Sequence, residues 1–281
     1  MRLATFNIAH GQALDGGLAP LERLTEACAS LGADVLCLQE VDRGQPRSGG
    51  VDQTAAVAEA TGATAWRFQP ALVGEPGGHW TAAAEGADVG DSGAYGVGLV
   101  SRWPVRAWHV LGLAAARVRS PVFVPALRGP TAELAPLHRR GGRSASGAAS
   151  RRGGILLLAD EPRVVLAAEL DSPIGPLLVA STHLSFVPGW NVAQLLRATR
   201  FLARQPGPRL LLGDLNLPGA LPRWATGWRS LARLRTFPVD RPSVQIDHVL
   251  ASGSLPQVLS VSAPHLGLSD HRALVVDLAG W

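Results

Sequence analysis

The stretch Leu36-Cys37-Leu38-Gln39-Glu40-Val41-Asp42 reads as a buried strand whose apolar run ends in a carboxylate. A carboxylate entering such a strand needs an ion pair or a metal to offset the loss of water. Working outward, a strand from Leu3 to Ile8 and an amphipathic helix from about Leu18 to Leu31 precede it, while a helix from about Gln53 to Thr61 and a strand from Thr64 to Phe68 follow. This is α/β punctuation. Farther along, Gly74 to Gly93 predicts a surface loop, and Gly96 to Ser101 with Val105 to Leu113 predict paired strands turning at Trp103-Pro104. Residues 139–152 shift to Arg, Gly, Ser and Ala, a composition that builds no core and predicts a mobile loop.

Strand signals return at Gly154 to Leu158, Arg163 to Leu170 and Pro176 to Thr182, followed by a helix from about Asn191 to Arg204. Further strands are expected at Arg209 to Leu212, near Gln245 to Ala251, at Gln257 to Ser262 and at Ala273 to Leu278. Many strands with few helices spread along the chain predict two sheets packed face to face, helices outside, in one domain over residues 1–281.

Composition narrows the class. The chain has 281 residues, 47% hydrophobic and 17% charged, which excludes fibrous and disordered proteins and supplies a core without disulfide or metal staples. Its 26 cations are all Arg, against 22 acids, for a net charge of +4; guanidinium suits forked contacts with phosphate or carboxylate, but so small an excess does not mark a nucleic-acid binder. Cys28 and Cys37 lie in apolar stretches and read as buried, reduced thiols. No segment approaches the roughly 18 unbroken apolar residues of a membrane span, and Met1 to His10 lacks a signal-peptide core, so the expectation is a cytoplasmic protein. Gly93, Gly96 and Gly98 lack the order of a phosphate loop and read as turn and strand packing. The G-x-S-x-G, CxxC and HExxH patterns are missing, which weakens serine-hydrolase and structural-zinc readings.

The informative pattern is polar residues where apolar strands end. Asn7 closes the first strand and Glu40 the second; His183 follows Leu177 to Thr182; Asp214 and Asn216 follow Leu210 to Gly213; Asp247 and His248 interrupt a late strand; Asp270-His271 precede the last. Such groups converge on one rim of a sheet, where oxygen donors can hold a hard cation such as Mg²⁺. Singly each is ambiguous: Asn7 also reads as a turn residue, Asp214-Leu215-Asn216 as a turn or helix cap, His183 as a core histidine, and Asp42 and His248 as structural.

Taken in order, Thr5-Phe6-Asn7, Leu38 to Asp42, Gly96 to Pro104, Thr182-His183-Leu184, Gly213 to Asn216, Ile246-Asp247-His248 and Ser269 to Ala273 resemble the endonuclease/exonuclease/phosphatase superfamily, across essentially the whole chain. The resemblance implies the DNase I-like fold, a four-layer αββα sandwich with two mainly antiparallel sheets, and Mg²⁺- or Mn²⁺-dependent hydrolysis of phosphate esters. It also implies roles: Glu40 as central metal ligand with Asn7 and Asp270 as further or water-mediated ligands, Asp214 as the carboxylate acting on water, Asn216 beside it, His271 facing the phosphate and oriented by Asp247, and His183 as the second phosphate-facing histidine.

The chemistry is consistent with those roles, because the anionic oxygens of a phosphodiester repel a nucleophile until a metal and donor groups offset their charge. His10, Arg47 and Trp190 are candidates for the substrate rim, with loop solvation as the alternative for His10 and Arg47. Trp80, Trp103 and Trp224 are weaker stacking or lipid-contact candidates, and the arginines of residues 139–152 could grip a polyanion or simply be solvated. The expected function is a phosphodiesterase acting on nucleic acid, a lipid or a small molecule. A phosphomonoesterase resembling inositol-phosphate phosphatases and a catalytically inactive binding protein of the same fold are the alternatives. The expected partner is a phosphate-ester substrate, and the sequence names no protein partner.

Overall fold

A computed structural model describes residues 1–84, 89, 92–124 and 154–280; the loop expected at 139–152 lies outside them. In chain order the strands are β1 (Arg2–Asn7), β2 (Val35–Arg43), β3 (Ala65–Gly74), β4 (Trp80–Ala82), β5 (Ala94–Ser101), β6 (Val105–Leu113), β7 (Arg119–Val124), β8 (Gly154–Ala159), β9 (Arg163–Ser172), β10 (Gly175–His183), β11 (Arg209–Asp214), β12 (Arg229–Ser230), β13 (Asp247–Ser252), β14 (Val258–Ser262) and β15 (Leu274–Leu278). The helices are α1 (Leu21–Ser30), α2 (Gln53–Thr61), α3 (Trp190–Leu202) and α4 (Leu221–Thr226). Among the described residues one sheet runs β14-β15-β1-β2-β5-β3-β4 and the other β12-β13-β11-β10-β9-β6, with β7 and β8 paired apart from both. Among the described residues only the β1/β2 and β10/β11 pairs are parallel. No helix among the described residues is long and apolar enough to cross a membrane.

The period-two alternation of each strand sorts its side chains between layers. On β1, Leu3 lies between the sheets while Ala4 and Phe6 meet the outer helices; on β2, Val35 and Cys37 lie between the sheets, Leu36 and Leu38 outside. The second sheet repeats this, with Val179, Leu210, Leu212 and Val249 inside and Leu178, Ala180 and Leu211 under α3. Strands buried on both faces read as continuous apolar runs, and the result is the expected αββα sandwich. Both cysteines are buried and unpaired, and burial raises the Cys28 thiol to about 12.

Local chemistry sets the ends of the elements. The Asp52 carboxylate accepts from the Ala55 N–H to cap α2, and Gly62 stops that helix in a left-handed conformation at φ 64°. Three expectations need correction. β5 and β6 do not pair with each other: β5 joins β2 and β3, β6 joins β9, and the turn at Trp103-Pro104 carries the chain from one sheet to the other. Both strands have an apolar face, and the sandwich buries those faces by placing the strands in opposite layers. The stretch expected as a loop from Gly74 to Gly93 contains the short strand β4, paired with β3, and β3 itself runs on to Gly74. β2 does not close at Glu40 but continues to Arg43 through a bulge.

Backbone contact between β10 and β11 demands one glycine. A Cβ on Gly213 (φ 152°) would lie 1.8 Å from the Thr182 carbonyl oxygen, whereas one on Gly219 (φ 58°) would meet nothing within 4 Å. Gly213→Ala is therefore expected to cost more than about 3 kcal/mol and Gly219→Ala only about 1 kcal/mol. Urea unfolding midpoints check this, and equal losses at the two positions would contradict it.

Candidate active site

The same alternation that fills the core places the site. Asn7 continues the inward-facing series Leu3 and Thr5, His183 continues Val179 and Ser181, Asp214 continues Leu210 and Leu212, and Asp247 opens the series Val249 and Ala251. Apolar residues give way to polar ones at one rim of both sheets, and the strand register aligns His183 with Asp214 and Asp214 with Asp247. Glu40 reaches this rim by the bulge: Gln39 pairs with Val97 and Val41 with Gly96, leaving Glu40 as the extra residue at φ 54°.

Hydrogen bonds tie the cluster together. The Asn7 amide nitrogen donates to Glu40 Oε1 at 2.9 Å and to Asp214 Oδ2 at 3.1 Å, while its oxygen accepts from the Ala9 N–H at 3.1 Å. Asp214 Oδ1 accepts from the Asn216 backbone N–H at 2.9 Å. His271 Nδ1 donates to Asp247 Oδ2 at 2.9 Å, its Nε2 lies 3.6 Å from Asp214 Oδ2, and Phe237 packs on its ring at 5.0 Å. His183 Nε2 lies 3.5 Å from the same Asp214 oxygen.

Burial, with Arg163 and His271 as neighbouring positive charges, holds His183 well below its ordinary value and therefore neutral. Burial opposes charge on His271 as well, but Asp247 and Asp214 outweigh it and lift that imidazole to about 10. Burial drives the Asp214 carboxyl up to about 7 despite the nearby His271 charge. The two histidines thus differ in charge at neutral pH.

A cation fits beside them. Burial raises the Glu40 carboxyl, the Asn7 amide opposes that and the Asp270 charge adds to it, so a cation beside Glu40 would relieve the cost of its charge. Hard divalent ions accept such oxygens. Asp214, Asp247 and His271 also converge, with one donor atom of each within 4.8 Å of the others. There, however, Asp247 Oδ2 already accepts from His271 and from Thr236 Oγ1, which is the pattern of an oriented imidazole.

The rim candidates fare unevenly. Asp270 stays exposed at the mouth and its backbone oxygen accepts from Val239 N–H. His10 is partly buried at φ 48°, its Nδ1 lacks a partner, and burial with the Arg47 charge lowers it to about 4. Arg47 is not a free rim cation: it grips buried Asp42 through two 2.8 Å hydrogen bonds and lies over the Tyr95 ring. Trp190 begins α3, and its indole N–H donates to Ala114 O at 2.9 Å. His248 is structural, bonded to Leu217 O and Gln245.

Sequence reasoning missed three supports. Thr236 is a small polar residue in a loop with no pattern to announce it, and Ser269, although it opens the stretch Ser269 to Ala273, was given no role of its own. Arg163, 6% exposed with Nη1 3.1 Å from His183 Nδ1, had a readable signal, because a charged residue opens an apolar strand antiparallel to β10.

Fold and site together define a DNase I-like sandwich with a buried acid and histidine cluster at one rim. Residues 4–271 match the endonuclease/exonuclease/phosphatase family, and the chain belongs to it. No curated protein sequence matches it closely. Among solved structures, an endonuclease/exonuclease/phosphatase from Beutenbergia cavernae is 24% identical over 99% of this chain and 71% of its own, with a TM-score of 0.62. The mannosyl-6-phosphatase of Bacteroides thetaiotaomicron is 14% identical over 99% of both chains (TM-score 0.57), and the human Nocturnin catalytic domain, with bound sulfate, is 15% identical over 99% and 94% (TM-score 0.55). At these identities the likeness is one of fold. The family's own name gathers nucleases and phosphatases, which cleave phosphate esters.

Thr236→Val keeps shape but removes the hydroxyl that donates to Oδ2 of buried Asp247, a carboxylate whose Oδ1 has no hydrogen-bond partner. The loss is expected to cost about 1–3 kcal/mol, read as a melting temperature lower by several degrees. An unchanged melting temperature would refute the role given to Thr236.

Proposed function

We propose that this protein is a divalent-metal-dependent phosphoesterase that hydrolyses phosphodiesters by attack of water. The observation that carries the reading is the pairing, across 3.6 Å, of the Asp214 carboxylate with an imidazole that Asp247 keeps protonated, next to the oxygen donors of Glu40 and Asp270.

Glu40 and Asp270 would hold Mg²⁺ or Mn²⁺, with Asn7 fixing Glu40 from behind and offering its oxygen directly or through water. When bound, the cation would neutralise charge on the phosphate oxygens as a Lewis acid. Asp214, pushed up to about 7, is suited to take a proton from water near neutral pH. Asn216 sits two residues on, its backbone fixing the Asp214 oxygen and its amide facing the cleft beside His183. His271, held charged, donates to a phosphate oxygen or to the departing alkoxide.

The charge balance favours a diester. Among the described residues the cleft presents one protonated imidazole, while Arg47 is paired and Arg163 buried, which suits a monoanion better than the dianion of a monoester. Phosphomonoester hydrolysis, the activity named for the Bacteroides neighbour, is the competing outcome. Nucleic acid, lipid and small diesters all fit this chemistry.

The test is hydrolysis of bis(p-nitrophenyl) phosphate and of p-nitrophenyl phosphate with Mg²⁺ or Mn²⁺, and with EDTA. The diester is expected to turn over faster, EDTA to abolish turnover, and Glu40→Gln and His271→Ala each to lower kcat by about 100-fold or more. Faster monoester cleavage would favour the phosphatase reading, absence of turnover on both would favour a binding protein, and EDTA-resistant hydrolysis would contradict the metal.

A further inference from the structure

The two imidazoles of the site are held by opposite kinds of partner. His271 Nδ1 faces the Asp247 carboxylate, whereas His183 Nδ1 faces the Arg163 guanidinium at 3.1 Å. Guanidinium has only N–H groups to offer, so His183 Nδ1 must accept. At its other end, Nε2 lies 3.2 Å from the Asn216 amide nitrogen and 3.5 Å from Asp214 Oδ2. That amide end is a nitrogen, because it also donates to Leu184 O at 3.0 Å.

Two donors therefore compete for the single lone pair of a neutral imidazole. Arg163 wins on strength, since a charge-assisted hydrogen bond is about twice as strong as a neutral one. It wins on bookkeeping too: with the proton on Nε2, Asp214 is there to receive it, whereas a proton on Nδ1 would point at a guanidinium.

We propose that Arg163 is a positioning residue that fixes His183 as a neutral imidazole with its proton on Nε2. In the phosphoesterase reading of the site, on which this rests, His183 then serves as a fixed hydrogen-bond donor into the cleft and takes no part as acid or base. The labour is divided: the carboxylate-backed His271 carries charge, and the guanidinium-backed His183 carries only a directed N–H. The groups facing the His183–Arg163 pair are Asp214 on β11, His271 before β15, Tyr95 on β5, Glu40 on β2, and Asp160 and Glu161 before β9. Arg163 Nη2 forms an ion pair with Asp160 Oδ1 at 3.9 Å, but neither that oxygen nor Arg163 Nε has a hydrogen-bond partner, so the short contact of the guanidinium here is the one from Nη1 to His183.

Imidazole nitrogen NMR of the metal-free protein reads the tautomer without any turnover, so a failed diester assay leaves this test intact. The wild type is expected to show His183 with Nδ1 bare and Nε2 protonated, unchanged from pH 8 to pH 5. In Arg163→Met the proton is expected to move to Nδ1, or His183 to begin titrating in that window. The same variant is expected to lose about 100-fold in kcat on bis(p-nitrophenyl) phosphate with KM within twofold. Wild-type His183 that titrates between pH 5 and pH 8, or that carries its proton on Nδ1, would overturn the proposal. So would a folded Arg163→Met protein with the wild-type pattern; if that variant does not fold, the wild-type spectrum decides alone.

Discussion

One amide group joins the two halves of this molecule. Asn7 sits at the end of β1 in the first sheet, and its N–H₂ reaches Glu40 on the neighbouring strand and Asp214 in the facing sheet. Just beneath it a second polar seam crosses the same gap: Thr5 Oγ1 donates to Gln39 Oε1, and Gln39 Nε2 donates to Ser181 Oγ on β10. Polar groups buried between apolar sheets are costly unless paired, on the order of 1–3 kcal/mol each, so this seam tolerates little slippage of one sheet over the other. Carboxylates from different sheets can therefore sit within hydrogen-bond reach of one side chain without drifting apart.

The backbone carries strain in the same place. Among the described residues, those other than glycine with positive φ are Ala9, His10, Glu40, Asn216 and Ser269, and each is a site residue or lies within two residues of one. Such conformations cost about 1–3 kcal/mol apiece and persist only where the surroundings fix them. Here the surroundings do: Asn7 O accepts from Ser269 Oγ, which in turn accepts from the His271 N–H. Folding energy from the apolar layers is spent on holding a rim of like charges in an arrangement those charges would not adopt unaided.

Much of this was legible in the chain. Period-two runs that end in Asn7, His183 and Asp214 announced both the layers and the rim, because the register that buries Leu210 and Leu212 leaves Asp214 pointing the same way. What alternation cannot reveal is which strand sits beside which, and so β5 and β6, adjacent in sequence, were expected as partners although they lie in opposite sheets. Nor does it reveal a bulge, which is why Glu40 looked like a strand end rather than an extra residue inside β2. Arg47 read as a free cation because its partner, Asp42, is five residues away across a turn, and Arg163 was overlooked because only the antiparallel pairing of β9 with β10 brings a strand's first residue to the site.

On the proposed reading, Asn7 holds the Glu40 carboxylate ready for a divalent ion. Mn²⁺ binding to the wild type and to Asn7→Ala, followed by the loss of free-ion paramagnetic resonance signal, tests it directly. Saturable binding that the substitution weakens by about tenfold or more is the predicted result. No saturable binding in the wild type, or equal affinity in both proteins, would contradict it.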